Sequence, residues 1–151
     1  MPRGSRRAGP RPDAGHLLKG GGAHRKLGIE VGELSPGRVV AKLSVEERHL
    51  QPFGVMHGGV SVTLAETVAS AGAWLNCPPS RAVLVSSVSA NHILPVGPGE
   101  RLEAVGIPLN VGLDRQVWDV EVRCESRELV CACRCTLGPA PGGMALPERV
   151  E

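Results

Sequence analysis

At 151 residues the chain has the length of one domain, enough to bury a single core. Two Trp, one Phe and no Tyr predict a core of Val, Leu and Ala, and leave little basis for binding single-stranded nucleic acid by base stacking. The net charge of +2 is uneven: residues 1–26 hold seven Lys/Arg and one acid, so the basic excess belongs to the tail and no folded nucleic-acid surface is indicated.

Residues 1–26 are rich in Arg, Pro and Gly and end near Gly20-Gly21-Gly22, a composition expected to stay disordered. They are basic like a mitochondrial presequence, but their Pro and Gly oppose the amphipathic helix of such a signal. They also lack the apolar stretch of a secretory one. No apolar run reaches the roughly 18–20 residues of a spanning helix, so neither a membrane partner nor secretion is expected. A cytoplasmic protein follows, with its five cysteines reduced. Cys131, Cys133 and Cys135 alternate on one face of a predicted strand, without C-x-x-C spacing. They read as small buried hydrophobes, and no metal site is expected.

Leu27–Leu34 is a short predicted strand, closed by Ser35-Pro36-Gly37. Arg38–Glu47 alternates, with Val39, Ala41, Leu43 and Val45 on one face, and forms a hairpin with it. Pro52 and Gly54 mark a loop. From Gly58 or Gly59 to Leu75 the pattern is helical, with Leu64, Val68, Ala71 and Leu75 as its apolar stripe. Ala65, Ala69, Gly72 and Ala73 keep the remaining surface small, so this helix can be embedded on nearly all sides. Asn76-Cys77-Pro78-Pro79 stops it.

Four strands are predicted next: Ala82–Leu94, Arg101–Val111, Gln116–Cys124 and Glu128–Leu137. Pro108 marks a bulge or an edge in the second of them. Residues 139–151 form a C-terminal tail. Two strands, one helix and four strands joined by short loops define an α+β fold. A curved antiparallel sheet of about six strands wraps the one long helix, in a domain spanning residues 27–138.

One charged side chain, Glu66, stands in the otherwise uncharged helix, and a carboxylate there needs a partner or a role. The architecture, together with Gln51-Pro-Phe-Gly-Val-Met-His57-Gly58-Gly59, Leu64-Ala65-Glu66 and Ser70, resembles the hotdog-fold thioesterases. It is most similar to the branch that hydrolyses aryl- and acyl-coenzyme A, such as the 4-hydroxybenzoyl-CoA, 1,4-dihydroxy-2-naphthoyl-CoA and phenylacetate-pathway enzymes. The likeness covers about Gly28 to Leu137 and includes Asn91-His92 and Gln116-Val117-Trp118. His-Gly-Gly alone is weak. With Gln six residues before the His, Glu nine after it and Ser four further on, the pattern is strong.

The chemistry fits these residue types. Thioester hydrolysis needs a stabilised carbonyl oxyanion and either a base for water or a carboxylate nucleophile. Gly58 and Gly59, at a helix start, offer N–H groups without intrahelical acceptors at the positive end of the dipole. Glu66 is the expected base or nucleophile, with Ser70 at i+4 orienting it or water. His57 and Gln51 donate near the thioester. Phe53, Met56 and Trp74 are candidates to line an acyl pocket.

The resemblance implies that these loop residues meet Glu66 and Ser70 of another subunit, in a homodimer with a shared site, and that dimers pair into a homotetramer. It places Asn91 and His92 near the dimer contact and the substrate channel. It implies no cofactor beyond the coenzyme A of the substrate. Two departures bear on the nucleotide. Ile93-Leu94-Pro95 stands where relatives often carry Arg, and Gly112-Leu113-Asp114 where they often carry a hydroxyl residue. Arg115 remains for a coenzyme A phosphate. The alternatives are a hotdog acyl dehydratase/hydratase and a non-catalytic acyl-CoA-binding protein.

Overall fold

Ser35 and Arg38 close the first hairpin. The computed structural model describes residues 18–78 and 81–144. In it β1 (Glu30–Ser35) and β2 (Arg38–Ser44) pair antiparallel. The Ser35 hydroxyl donates to the Arg38 carbonyl at 2.9 Å and accepts from the Arg38 N–H at 3.0 Å. In β2, Val39, Ala41 and Leu43 are buried while Lys42 is exposed, as the alternation predicts. β1 begins later than Leu27 because Gly28, at φ 76°, turns the chain first. Ala23–Lys26, read from sequence as the end of a tail, form one helical turn. Residues 1–17 of that tail and residues 145–151 of the C-terminal tail lie outside the described residues.

The central helix runs Gly58–Leu75. It is followed by β3 (Val83–His92), β4 (Arg101–Val111), β5 (Gln116–Cys124) and β6 (Leu129–Pro139). β4 and β5 have their predicted bounds, and the irregularity expected at Pro108 is a bulge between Pro108 and Asn110. All strands join one antiparallel sheet in the order β1-β2-β4-β5-β6-β3. The helix touches all six, which requires the sheet to curl around it.

The helix buries a different face from the predicted stripe. Leu64 and Val68 are fully buried, but Ala71 and Leu75 are only half-buried, and Ala65, Ala69, Gly72 and Ala73 meet the sheet instead. Trp118 is the reason. A Cβ at Gly72 would come within 2.2 Å of its indole, so the bulk of β5 fits a groove of small residues. In the same way Val68 seats at Gly106 of β4, 2.4 Å from where a Cβ would stand. Each fully buried Val or Leu in this core contributes about 1.5–3 kcal/mol.

All five cysteines are free and buried, and the Cys131 and Cys133 sulfurs lie 3.5 Å apart. No described helix is long and apolar enough to cross a membrane.

Candidate active site

His57 caps the central helix. Its Nδ1 accepts from the Gly59 N–H at 2.8 Å, and its carbonyl accepts from the Val60 N–H at 2.9 Å. An Nδ1 that accepts carries no proton, so the neutral ring holds its proton on Nε2, on the far side, as a free donor. The Gly59 N–H is thereby occupied. Of the two glycines read as oxyanion donors, Gly58 is the one whose N–H has no acceptor among the described residues. A Cβ on Gly58 would stand 2.9 Å from the His92 ring, so glycine there makes room for the imidazole.

The loop leading to this cap hangs on a residue the sequence reading passed over. His49 is 1% exposed. Its Nδ1 accepts from the Glu46 N–H (2.9 Å), its Nε2 donates to the Leu27 carbonyl (2.8 Å), and its own carbonyl accepts from the His57 N–H (2.8 Å). Gln51 opens a tight turn in which its N–H donates to the Val55 carbonyl (2.9 Å) and its Oε1 accepts from the Phe53 N–H (2.6 Å). The amide nitrogen of Gln51 is left to donate elsewhere. Phe53 stands 91% exposed at the tip, while Met56 is buried at the base.

Glu66 and Ser70 are half-buried on the helix face turned from the sheet, with Val62, Thr63 and Thr67. Thr63 and Thr67 donate to carbonyls one turn back, at 2.9 and 2.7 Å. The Glu66 carboxylate and the Ser70 hydroxyl have no partner among the described residues. The charge of Glu66 is felt at Cys135: burial first, then Glu66 and Asp119, push that thiol up to about 11. Trp74, a candidate for the acyl pocket, is buried near the other end of the helix.

Distances along the helix divide these residues. Glu66 follows Gly58 by eight positions, about 12 Å along the axis. A single carbonyl cannot touch both within one chain. Arg115 lies beyond the opposite end, beside Gln116, which bonds the Ala73 carbonyl and Cys77. Asn91 and His92, adjacent in β3, line different clefts. Asn91 joins Asp119, Glu121 and Arg134 on the outer sheet. His92 lines a cleft of about 300 Å³ at the helix start, with Met56, Gly58, Ser61 and Val130. Ser61 is a second residue that sequence reasoning missed, since its spacing from Gly58 carries no signal until burial is known.

Comparison with known proteins identifies the family and the fold. The profile described as the thioesterase superfamily matches residues 53–131. A 1,4-dihydroxy-2-naphthoyl-CoA hydrolase of Listeria monocytogenes is 37% identical, covering 77% of this chain and 94% of that protein. The proofreading thioesterase EntH of Klebsiella pneumoniae is 36% identical over 72% of this chain and 78% of its own length. Among solved structures, a thioesterase from Haemophilus influenzae matches with a TM-score of 0.76 at 36% identity, covering 89% of this chain and 91% of that one. The fold of a sheet wrapped around one helix is thus shared with enzymes that cleave thioesters, and the chain belongs to the thioesterase superfamily, as a hotdog-fold thioesterase.

Proposed function

We propose that the protein hydrolyses an acyl- or aryl-coenzyme A thioester to the free acid and coenzyme A, in a site assembled from two copies of the chain. The separation of about 12 Å between Gly58 and Glu66 carries this reading, because an oxyanion donor and a carboxylate so far apart converge only across a dimer. If each Glu66 meets Gly58 of the other copy, the helices run antiparallel and the two-fold axis passes beside Val62, midway between them. Val62 lies on the open face with Glu66.

In this site the Gly58 N–H, at the positive end of the helix, receives the thioester oxygen as it becomes negative. The His57 Nε2–H and the Gln51 amide donate to the same region. Glu66 of the second copy either attacks the carbonyl carbon, forming an anhydride that water opens, or takes a proton from the attacking water. By either course the C–S bond breaks, the acyl group gains the water oxygen, and coenzyme A departs as thiolate and is protonated. Ser70 orients the carboxylate or the water. The reaction so written uses side chains and water, with no metal or redox cofactor.

Met56 and His92 contact the acyl portion. In the antiparallel pair Arg115 nears the helix start of the other copy, where it is suited to a coenzyme A phosphate. Asn91 and the exposed Phe53 flank the site. The exposed apolar residues Ile107, Leu109 and Val111 of β4 support pairing of dimers into tetramers. Residues 27–138 carry the activity between two tails, and five free thiols suit a reducing compartment such as the cytoplasm.

The direct test is thiol release from a panel of aryl-, medium- and long-chain acyl-CoAs by wild type and Glu66→Gln. Turnover by wild type, with a loss of at least about a hundredfold in kcat in the folded, dimeric variant (~2.7 kcal/mol), is expected. Absence of thiol release from every substrate overturns the reading.

A further inference from the structure

Two hydroxyls of the central helix, those of Thr63 and Thr67, are satisfied by carbonyls one turn back. Ser61 behaves differently. Its side chain is 1% exposed, lines the cleft at the helix start, and has no hydrogen-bond partner among the described residues. Its hydroxyl opens on the cleft, and a ligand that fills the cleft displaces the water there and leaves the hydroxyl unpaired, at a cost of about 1–3 kcal/mol, unless it brings a polar group of its own.

The cleft sets what that group is attached to. Apart from Gly58, Ser61 and His92 its walls are apolar, formed by residues such as Met56, Leu94, Val96 and Val130. Its volume of about 300 Å³ is at the small end for small-molecule sites. Ser61 follows Gly58 by three residues, about 4.5 Å along the axis on an adjoining face. Both residues line the same cleft, so an acyl group that enters it from a carbonyl at the Gly58 N–H comes within reach of Ser61.

We infer that Ser61 is a specificity-determining residue, whose hydroxyl hydrogen-bonds a polar substituent carried by the acyl group a few bonds from the thioester carbonyl. The inference rests on the acyl-CoA reading of the site given above. Discrimination comes from the analogue that lacks the substituent: it fills the apolar walls but leaves Ser61 unpaired. Ser61→Ala removes the penalty along with the bond, so it erases the preference instead of weakening all substrates alike.

The experiment compares wild type and Ser61→Ala on benzoyl-CoA against its 2-, 3- and 4-hydroxy derivatives, and on octanoyl-CoA against 3-hydroxyoctanoyl-CoA. Wild type is expected to favour at least one hydroxylated substrate over its parent by about tenfold or more in kcat/KM. In Ser61→Ala the two should come within about threefold, the parent gaining in kcat/KM as the penalty is removed and the hydroxylated substrate losing its bond. A preference that is absent from wild type, or that survives in Ser61→Ala, overturns the assignment. The same pairs are titrated by calorimetry into Glu66→Gln with and without Ser61→Ala. A binding preference that depends on Ser61 supports the inference even where turnover fails, and equal affinities overturn it. Loss of thiol release from every substrate, by contrast, defeats only the hydrolytic reading. Alanine is the best helix former, so the variant is expected to fold, and the wild-type comparison decides the matter without it.

Discussion

The side-chain amide of Gln116 donates to the Ala73 carbonyl at 2.9 Å, tying the last turn of the central helix to the start of β5. Its oxygen accepts from the Trp118 indole N–H at 3.1 Å, and both side chains are buried. The Ala73 carbonyl also accepts from the Asn76 N–H, so the group that depends on Gln116 is the indole. Gln116→Leu strands that N–H, and the expected loss is about 1–3 kcal/mol of stability by urea denaturation. Turnover of the folded variant should stay within about twofold, because Gly58 and Glu66 lie turns away. A collapse of kcat at unchanged stability would move Gln116 into the site.

Mixing two inactive variants tests the shared site. Glu66→Gln and His57→Ala homodimers each lack one essential group in both sites. In a mixed dimer one site keeps both groups and the other loses both. After subunit exchange of an equal mixture, thiol release should recover to about a quarter of the wild-type rate, since half the dimers are mixed and half their sites are intact. Recovery indistinguishable from zero in a mixture shown to have exchanged rules out sharing.

Gly58→Ala separates room for the substrate from stability. The added Cβ meets the His92 ring at 2.9 Å, and His92 is exposed and free to rotate away. Stability should shift by no more than about 1 kcal/mol, as the helix gains from alanine what the contact loses. kcat/KM should fall about tenfold or more as the methyl intrudes on the carbonyl. Unchanged kcat/KM would exclude Gly58 as the oxyanion donor.

The buried thiols give a pH prediction with a definite sign. Cys135 is held up to about 11, whereas the unfolded thiol titrates near its ordinary value of about 9. Below pH 9 both states keep the proton and the contribution is constant. Between about 9 and 11 the unfolded chain releases its proton first, so stability falls as pH rises, by on the order of 2–3 kcal/mol across the window. Urea midpoints at pH 8, 9 and 10.5 should decline, and Cys135→Ala should make the decline shallower; the remainder comes from Cys133, which its hydrogen bond with Cys131 and burial also hold above the ordinary value. The five thiols should also be silent to a disulfide reagent at pH 7.5 until the protein is denatured.

The course of the chain was legible where its signals are local. β4 and β5 could be bounded to the residue because polar and apolar side chains alternate between clear turns, and Asn76 and Pro78 mark the helix end. The face of the helix was misread because it depends on a fit between residues far apart, Gly72 and Trp118, which no window along the chain contains. His49 and His57 are the same residue type eight positions apart, and burial alone separates the loop anchor from the cap. Within one chain the hairpin carries Arg115 to the end of the helix away from the glycine pair, so the two belong to one site only across two copies, a relation that depends on the whole fold.

The seats at Gly72 and Gly106 also bear on how this scaffold can diversify. With a Trp ring over one and a Val methyl over the other, at distances no added side chain tolerates, the helix has one axial register in the sheet. Sliding by a residue, or exchanging the seats, brings bulk against bulk. The position of Glu66 along the sheet is therefore inherited from two hydrogens that occupy the place of side chains. Substitutions that retune the acyl preference are free to accumulate at the rim, in the loop around Phe53 and along His92–Val96, without moving the carboxylate. The rim can drift while the register that seats Ser61 and Glu66 stays still.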